Sequence, residues 1–381
     1  VARAVVREAL RDPAQRVEAA SLLLSTNSGP EEVRAFVFAQ ADAPELLPLW
    51  LVLAGAGDKR AEKPLRAALF SADESLRAEI VAALGSLGVL RPEEIEAAYQ
   101  DPSPVLRAVA VELWARQDPA QLERAAQDSD PTVRREVAAR LGALAPEIGA
   151  VLAGVFLSDR DPGVRLSALE WSLRLGYAKE ESISQALSGD DPFLAVTAAR
   201  LAGAQDTRAI ETLERLLSQA GTARSSAILA ASSFPEAAKR LTPPLRRITN
   251  TGTPEEQVLA AAALLRLSLE LPSGRSFREA DRDAHETLQN RCEGEGRPAM
   301  RACAELAPRG DARAVERLRR AALADPDPSA RTSALRSLTL AGEASLHILA
   351  AGLADPDPGV RLAAARAVFR VVGTTPRPHG R

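Results

Sequence analysis

One short phrase recurs along this chain and leaves little choice of fold: Asp-Pro, two residues, Arg, then an Ala-rich apolar run. Clear copies are Asp130-Pro-Thr-Val-Arg134, Asp161-Pro-Gly-Val-Arg165, Asp327-Pro-Ser-Ala-Arg331 and Asp357-Pro-Gly-Val-Arg361, and Asp101-Pro-Ser-Pro-Val-Leu-Arg107 carries it with two more residues before the Arg. With the Arg as anchor, weaker copies place further anchors at Arg16, Leu47, Arg77, Ala195, Arg224, Gln257 and Arg301. Nine of the eleven intervals are 29–33 residues, so the 381 residues read as about twelve units of one supersecondary type. Ala stands three residues past the anchor in nine of the twelve copies, where a small side chain lets helices approach closely.

Each unit reads as two helices. The phrase opens the second: Asp is a good N-cap because its carboxylate accepts orphan backbone N–H groups, and Pro suits the first turn, where no N–H is needed. Apolar residues then fall at −1, +3, +4 and +7 from the anchor, one stripe of a 3.6-residue helix, as in Val133, Val137, Ala138 and Leu141. Gly or Pro usually separates the units, and no alternating run of strand length occurs. The expected fold is all-α, a superhelical row of about twelve antiparallel helix pairs with no sheet. It forms one domain over residues 1–372, with a Pro-rich tail at 373–381.

The phrase Asp-Pro-x-Val-Arg-x-x-Ala-x-x-Ala-Leu-Gly resembles HEAT repeats, and among them the short bacterial type also found in phycobilin lyases. The resemblance covers the chain from Val1 to about Gly373. It implies a right-handed superhelix whose second helices line a concave face. It also implies a ladder of hydrogen bonds between neighbouring units made by the phrase's own Asp and Arg: Asp130 and Arg134, Asp161 and Arg165, Asp327 and Arg331, Asp357 and Arg361. The ladder should weaken where the anchor is Leu47, Ala195 or Gln257. Repetition in unit after unit makes these residues structural rather than catalytic.

The pattern breaks between Gln257 and Arg301, where the interval is 44 residues. The irregular unit at 271–303 holds both cysteines, Cys292 and Cys303, on either side of a Glu-Gly-Glu-Gly-Arg-Pro turn. On a helix hairpin their Cα atoms can come within the roughly 4.4–6.8 Å a disulfide needs; two buried thiols are the alternative. A disulfide would imply an oxidising compartment such as the periplasm, and without it cytoplasm and periplasm stay open. A metal site with His285 falls short of a closed zinc shell, since a fourth ligand and a Cys-x-x-Cys spacing are missing. No metal ligand set and no cofactor are expected. Gly55-Ala-Gly57 follows no strand, and neither Gly-x-Ser-x-Gly nor His-Glu-x-x-His occurs.

Composition narrows the function classes. Of 381 residues, 46% are hydrophobic and 26% charged, as in a soluble folded chain, but only 3% are aromatic, with three His and two Cys, so few side chains for catalysis are present. The longest stretch without a charged residue, Leu46–Gly57, is 12 residues, short of the roughly 20 that span a membrane. The chain opens at Val1 with no signal-type segment, so any targeting sequence is expected to be removed or never present. Residues 1–190 carry 21 basic and 29 acidic side chains, against 27 and 22 in residues 191–381. On the second helices, positions +2, +5 and +9 point away from the core stripe. They carry Glu18, Glu79, Glu112, Glu136 and Glu170 early in the chain, and Arg200, Arg266, Arg336, Arg366 and Arg370 later. A neutral band lies between: Thr197, Ser226, Leu229, Ser233, Leu259 and Ala262.

Thr197, Arg200, Ser226, Leu229, Leu259, Arg266, Arg336, Arg366 and Arg370 are therefore the candidate partner-binding residues. The apolar band would make contact and the charged flanks would set orientation. Val368, Phe369, Val371 and Val372 on the last helix either complete a packed terminal unit or offer an end for docking. The expected function is a non-catalytic protein-interaction scaffold within a larger assembly. The alternatives are an enzyme like the phycobilin lyases and a nucleic-acid binder through the basic half; the latter lacks a broad positive footprint and stacking aromatics.

Overall fold

The computed structural model describes residues 1–26, 29–39, 44–69, 73–177, 180–269 and 275–374. Among these residues the regular elements are helices and no strand occurs. In chain order they are α1 (Ala2–Ala9), α2 (Arg16–Leu24), α3 (Gly29–Phe38), α4 (Leu47–Gly55), α5 (Glu62–Leu69), α6 (Glu74–Ser86), α7 (Pro92–Tyr99) and α8 (Pro104–Gln117). There follow α9 (Gln121–Ala125), α10 (Pro131–Ala138), α11 (Pro146–Leu157), α12 (Pro162–Leu175), α13 (Glu180–Ser188), α14 (Pro192–Ala202), α15 (Thr207–Ser218) and α16 (Thr222–Ala231). The last are α17 (Ala238–Thr251), α18 (Pro254–Leu269), α19 (Arg275–Cys292), α20 (Gly296–Leu306), α21 (Ala312–Ala324), α22 (Pro328–Leu340), α23 (Leu346–Leu353) and α24 (Pro358–Thr374). Every anchor falls on an even-numbered helix, the second of its pair.

The residues group into two compact units. In the unit Leu53–Pro244, helices α6, α8, α10, α12, α14 and α16 pack on one another in succession, and α5, α7, α11, α13 and α15 each cover the second helix of their own pair. The caps drive this registration: Asp130 accepts from the Thr132 N–H at 2.7 Å and Asp161 from the Val164 N–H at 3.0 Å, each one residue before a Pro that opens the helix. Ala110, Ala168 and Ala198, three residues past their anchors, are fully buried, as close packing of second helices requires.

The other unit combines Val1–Val52 with Leu245–Arg381. Here α18, α20, α22 and α24 succeed one another, with α19, α21 and α23 on their own pairs. Helix α1 packs on α24, as α21 packs on α20. Val6 of α1 is fully buried. The last helix, read from sequence either as a packed terminal unit or as an end for docking, packs against the first helix of the same chain, and Val371 near its end stays exposed. Gly352 sets the approach of α23 to its neighbours: a Cβ there would meet Ala364 Cβ at 2.8 Å and Leu335 Cδ1 at 3.2 Å. Gly352→Val is expected to destabilise the protein by about 2 kcal/mol through overpacking, read as a lower denaturant midpoint at unchanged slope.

The ladder exists with a different acid. Arg134 donates from Nε and Nη2 to both oxygens of Asp159, at 2.8 and 2.9 Å, and from Nη1 to the Asp128 and Ser129 carbonyls. Arg107 holds Asp128 and Arg331 holds Asp355 in the same bidentate way. The partner is therefore the Asp two residues before the phrase, not Asp130, Asp161, Asp327 or Asp357, whose carboxylates are already committed as caps. Asp128, Asp159 and Asp355 also accept the backbone N–H of the cap residue, which orients each toward the preceding unit's Arg. Arg165 keeps its two turn carbonyls, Asp159 and Arg160, but its acid is the cap Asp191, through one bond of 3.3 Å, because Gly189 stands where the upstream Asp would be. Arg361 keeps its two carbonyls and reaches Glu8 of α1 at 4.0 Å.

The irregular unit keeps the pairing and lengthens its first helix: α19 runs 18 residues. Residues 270–274, where the extra segment begins, and most of the tail, 375–381, lie outside the described residues. In α20 the buried side chains are Ala299, Ala302, Cys303 and Leu306, while Arg301 is exposed and bonds Glu255. The anchor position is thus Ala299, two residues before the Arg that the sequence pattern selected. Cys292 and Cys303 form a disulfide, with Cα atoms 4.9 Å apart, which ties the end of α19 to the second turn of α20. His285 stands 3.8 Å from Asp311, and no cluster of metal-ligating residues occurs among the described ones. No described helix is long and apolar enough to cross a membrane.

Candidate partner-binding site

The helical period that buries the anchor exposes the residue five positions on. On α22, Arg331, Ala334, Leu335 and Leu338 are buried, whereas Arg336 is exposed. On α24, Val360, Ala364 and Ala365 are buried and Arg366 and Arg370 exposed. Packing of α22 on α24 brings these three guanidinium groups to the rim of one cavity of about 260 Å³. Thr332 and Thr339 line its α22 side; Gly359, Ala363 and Ala367 line its α24 side. Glu18 of α2 completes the rim, with a carboxylate oxygen 2.5 Å from Arg366.

Arg336 makes no ion pair or hydrogen bond among the described residues, and neither does Thr332 one helical turn before it. A second, open hollow of about 430 Å³ shares Thr332 and Arg336 and extends past Ser329 and Asp357 at the start of the two helices. Arg336, without an acid of its own beside the Glu18–Arg366 pair, leaves this part of the 260 Å³ cavity cationic. The small residues along α24 give it an apolar side that a bound chain can approach closely. One turn beyond Arg336, Leu340 is 57% exposed and extends the stripe with an apolar side chain.

Other residues singled out from the sequence distribute differently. Leu259 is 5% exposed and Ala262 4%, so neither belongs to a surface band. The reason is that α18 is apolar on every side from Val258 to Leu265 and is covered by both the long α19 and α20. Arg266 is exposed and pairs with Glu305 at 3.3 Å. In the unit Leu53–Pro244, Thr197 and Ser226 are half-buried, Arg200 is exposed 3.9 Å from Glu170, and Leu229 is 46% exposed. Of the glutamates singled out in that unit, Glu79 is exposed, but the other three are matched by arginines. Glu112 pairs with Arg116, Glu136 with Arg140 and Glu170 with Arg174, each four residues on along the helix. Burial, only partly offset by Arg140, pushes the Glu136 carboxyl above its ordinary value.

The sequence reading missed Glu18 as a neighbour of Arg366, since nothing in a one-dimensional pattern brings the first and last pairs together. It also missed the upstream Asp of the ladder, although Asp-x-Asp-Pro marks it in the sequence at Asp128, Asp159 and Asp355.

No known protein family's sequence profile matches the chain, and no curated protein matches it. Among solved structures, it is similar to an engineered protein at 19% identity, covering 97% of this chain and 98% of that one with a TM-score of 0.32. It is also similar to a mutant of Kap121p at 14% identity and a TM-score of 0.39, covering 96% of this chain. This chain spans 44% of that structure's length.

Proposed function

We infer that the protein is a non-catalytic interaction scaffold that binds another protein through the exposed faces of its second helices. The observation that carries this reading is the cavity between α2, α22 and α24. There Arg336, Arg366 and Arg370 project from a framework whose other arginines, Arg331 and Arg361, are spent on fixing the turns. Neighbour-to-neighbour stabilisation of this kind leaves outward positions available for recognition. In the unit Leu53–Pro244, Arg200 and exposed Leu229 offer the same combination of charge and apolar surface.

The test is affinity purification from the native source with the intact chain, followed by kinetics on the recovered partner. Reversing Arg336, Arg366 and Arg370 to Glu is expected to slow association at least tenfold at low salt and to flatten its salt dependence, because rim charges act mainly on the encounter rate. Unchanged association by the reversed variant would discard the reading.

A further inference from the structure

We propose that the cavity between α2, α22 and α24 takes an acidic peptide segment of a partner protein, and that Glu18 occupies part of it as an internal substitute for one of the partner's carboxylates. This rests on the scaffold reading and narrows it to one partner chemistry.

The chain itself displays the chemistry that the cavity accepts. Glu18 comes from the other end of the sequence and places a polypeptide carboxylate 2.5 Å from Arg366. Neither Glu18 nor Arg366 is buried by the contact: their side chains remain 47% and 49% exposed, so an incoming acid can reach and displace the pair. Arg336 stands beside them with its charge unmatched, ready for a second carboxylate in bidentate geometry. Thr332 adds a hydroxyl donor on the same face of α22. Between the arginines, Ala363 and Ala367 leave space for an aliphatic side chain flanked by the two acids.

Size and composition favour a peptide over other anions. A volume of about 260 Å³ lies below the roughly 300–1,000 Å³ of sites that enclose small organic ligands. It suits one or two residues of a chain passing over the surface. No aromatic side chain lines the cavity, so the stacking platform that single-stranded nucleic acid uses is missing there.

The experiment measures fluorescence anisotropy of the intact protein with a labelled peptide, Gly-Ser-Glu-Glu-Leu-Glu-Ser-Gly, and with its counterpart in which Gln replaces each Glu. The acidic peptide is expected to bind at least about tenfold more tightly than the neutral one. Arg336→Gln should weaken it about tenfold, whereas Glu18→Gln should tighten it about threefold to fivefold by removing the internal competitor, a gain set by the modest strength of exposed pairs. Both substitutions lie on the surface, and thermal unfolding of each variant verifies the fold. Unchanged or weaker binding by Glu18→Gln overturns the proposal, as does equal binding of the two peptides. Complete displacement by millimolar inorganic phosphate would reduce the cavity to a general anion site. Tighter, Arg336-dependent binding of labelled oligothymidylate would replace the peptide with nucleic acid. If the peptide fails while the triple charge reversal still slows the recovered partner, this inference falls and the scaffold reading stands; if both fail, both fall.

Discussion

Arg134→Ala is expected to lower stability by about 3 kcal/mol. The side chains of Arg134 and Asp159 are 18% and 10% exposed, so the substitution leaves a largely buried carboxylate without its two charge-assisted bonds and releases two turn carbonyls. Removing one partner of a buried pair costs about 3–5 kcal/mol, and the residual exposure places this one at the lower end. Arg134→Lys should recover only part, since a single ammonium cannot reproduce the bidentate fork. The pH dependence has a definite sign. Hydrogen bonds from Arg134, against the cost of burial, hold the Asp159 carboxyl below its ordinary value. A depressed carboxyl contributes stability that is present above its unfolded pKa, near 4, and lost as pH falls through the folded value. The difference between wild type and Arg134→Ala should therefore be largest near neutrality and shrink below about pH 4. Urea titrations at pH 7 and pH 3 measure it; an equal difference at both would refute the assignment of Asp159 as the ladder acid.

Loss of the Cys292–Cys303 disulfide is the second large effect. The bond closes a loop whose ends are 11 positions apart, and the chain-entropy relation gives about 3 kcal/mol for a loop of that size. The double variant Cys292→Ala, Cys303→Ala should lose about that much, concentrated in α19 and α20, where hydrogen exchange would rise first. Wild-type protein in reductant should fall to the same stability. Identical unfolding of the wild type with and without reductant, together with two titratable thiols in the native protein, would show that the pair is not oxidised. Both effects should be local, because in a repeat array each pair is stabilised chiefly by its immediate neighbours.

Much of the framework was legible because it obeys local rules. An Asp directly before the Pro that opens a helix caps it, as at Asp130, Asp161, Asp191 and Asp327, and the −1, +3, +4, +7 stripe has to face inward once two helices meet. Val133, Val137, Ala138 and Leu141 are all fully buried as that stripe requires. The register failed where two such rules competed. In α20 the apolar stripe selected Ala299 while the basic residue that resembled an anchor, Arg301, was left outside with Glu255. Leu259 and Ala262 failed for a related reason: their positions relative to the anchor pointed outward, but α19 is long enough to cover that side of α18.

The ladder shows how far a motif carries by itself. The phrase held the right Arg and the wrong Asp, because which of two nearby carboxylates faces the neighbouring unit is decided by stacking; a capping Asp takes the Arg at Asp191, where Gly189 replaces the upstream acid. The candidate site shows the complementary case. The outward direction of Arg336, Arg366 and Arg370 followed from helix period alone. That Arg366 is answered by Glu18, and that the three arginines border one cavity, did not.

By itself, then, the sequence determined the element type, the pairing of helices, the buried stripe and the outward arginines, because capping, helical period and apolar burial act within about thirty residues. Only the tertiary structure decided which acid completes each ladder step and that α1 packs on α24. It also decided that Glu18 meets Arg366. Those contacts join residues far apart in the chain, and their partners are selected by the accumulated stacking of helix pairs rather than by any local preference.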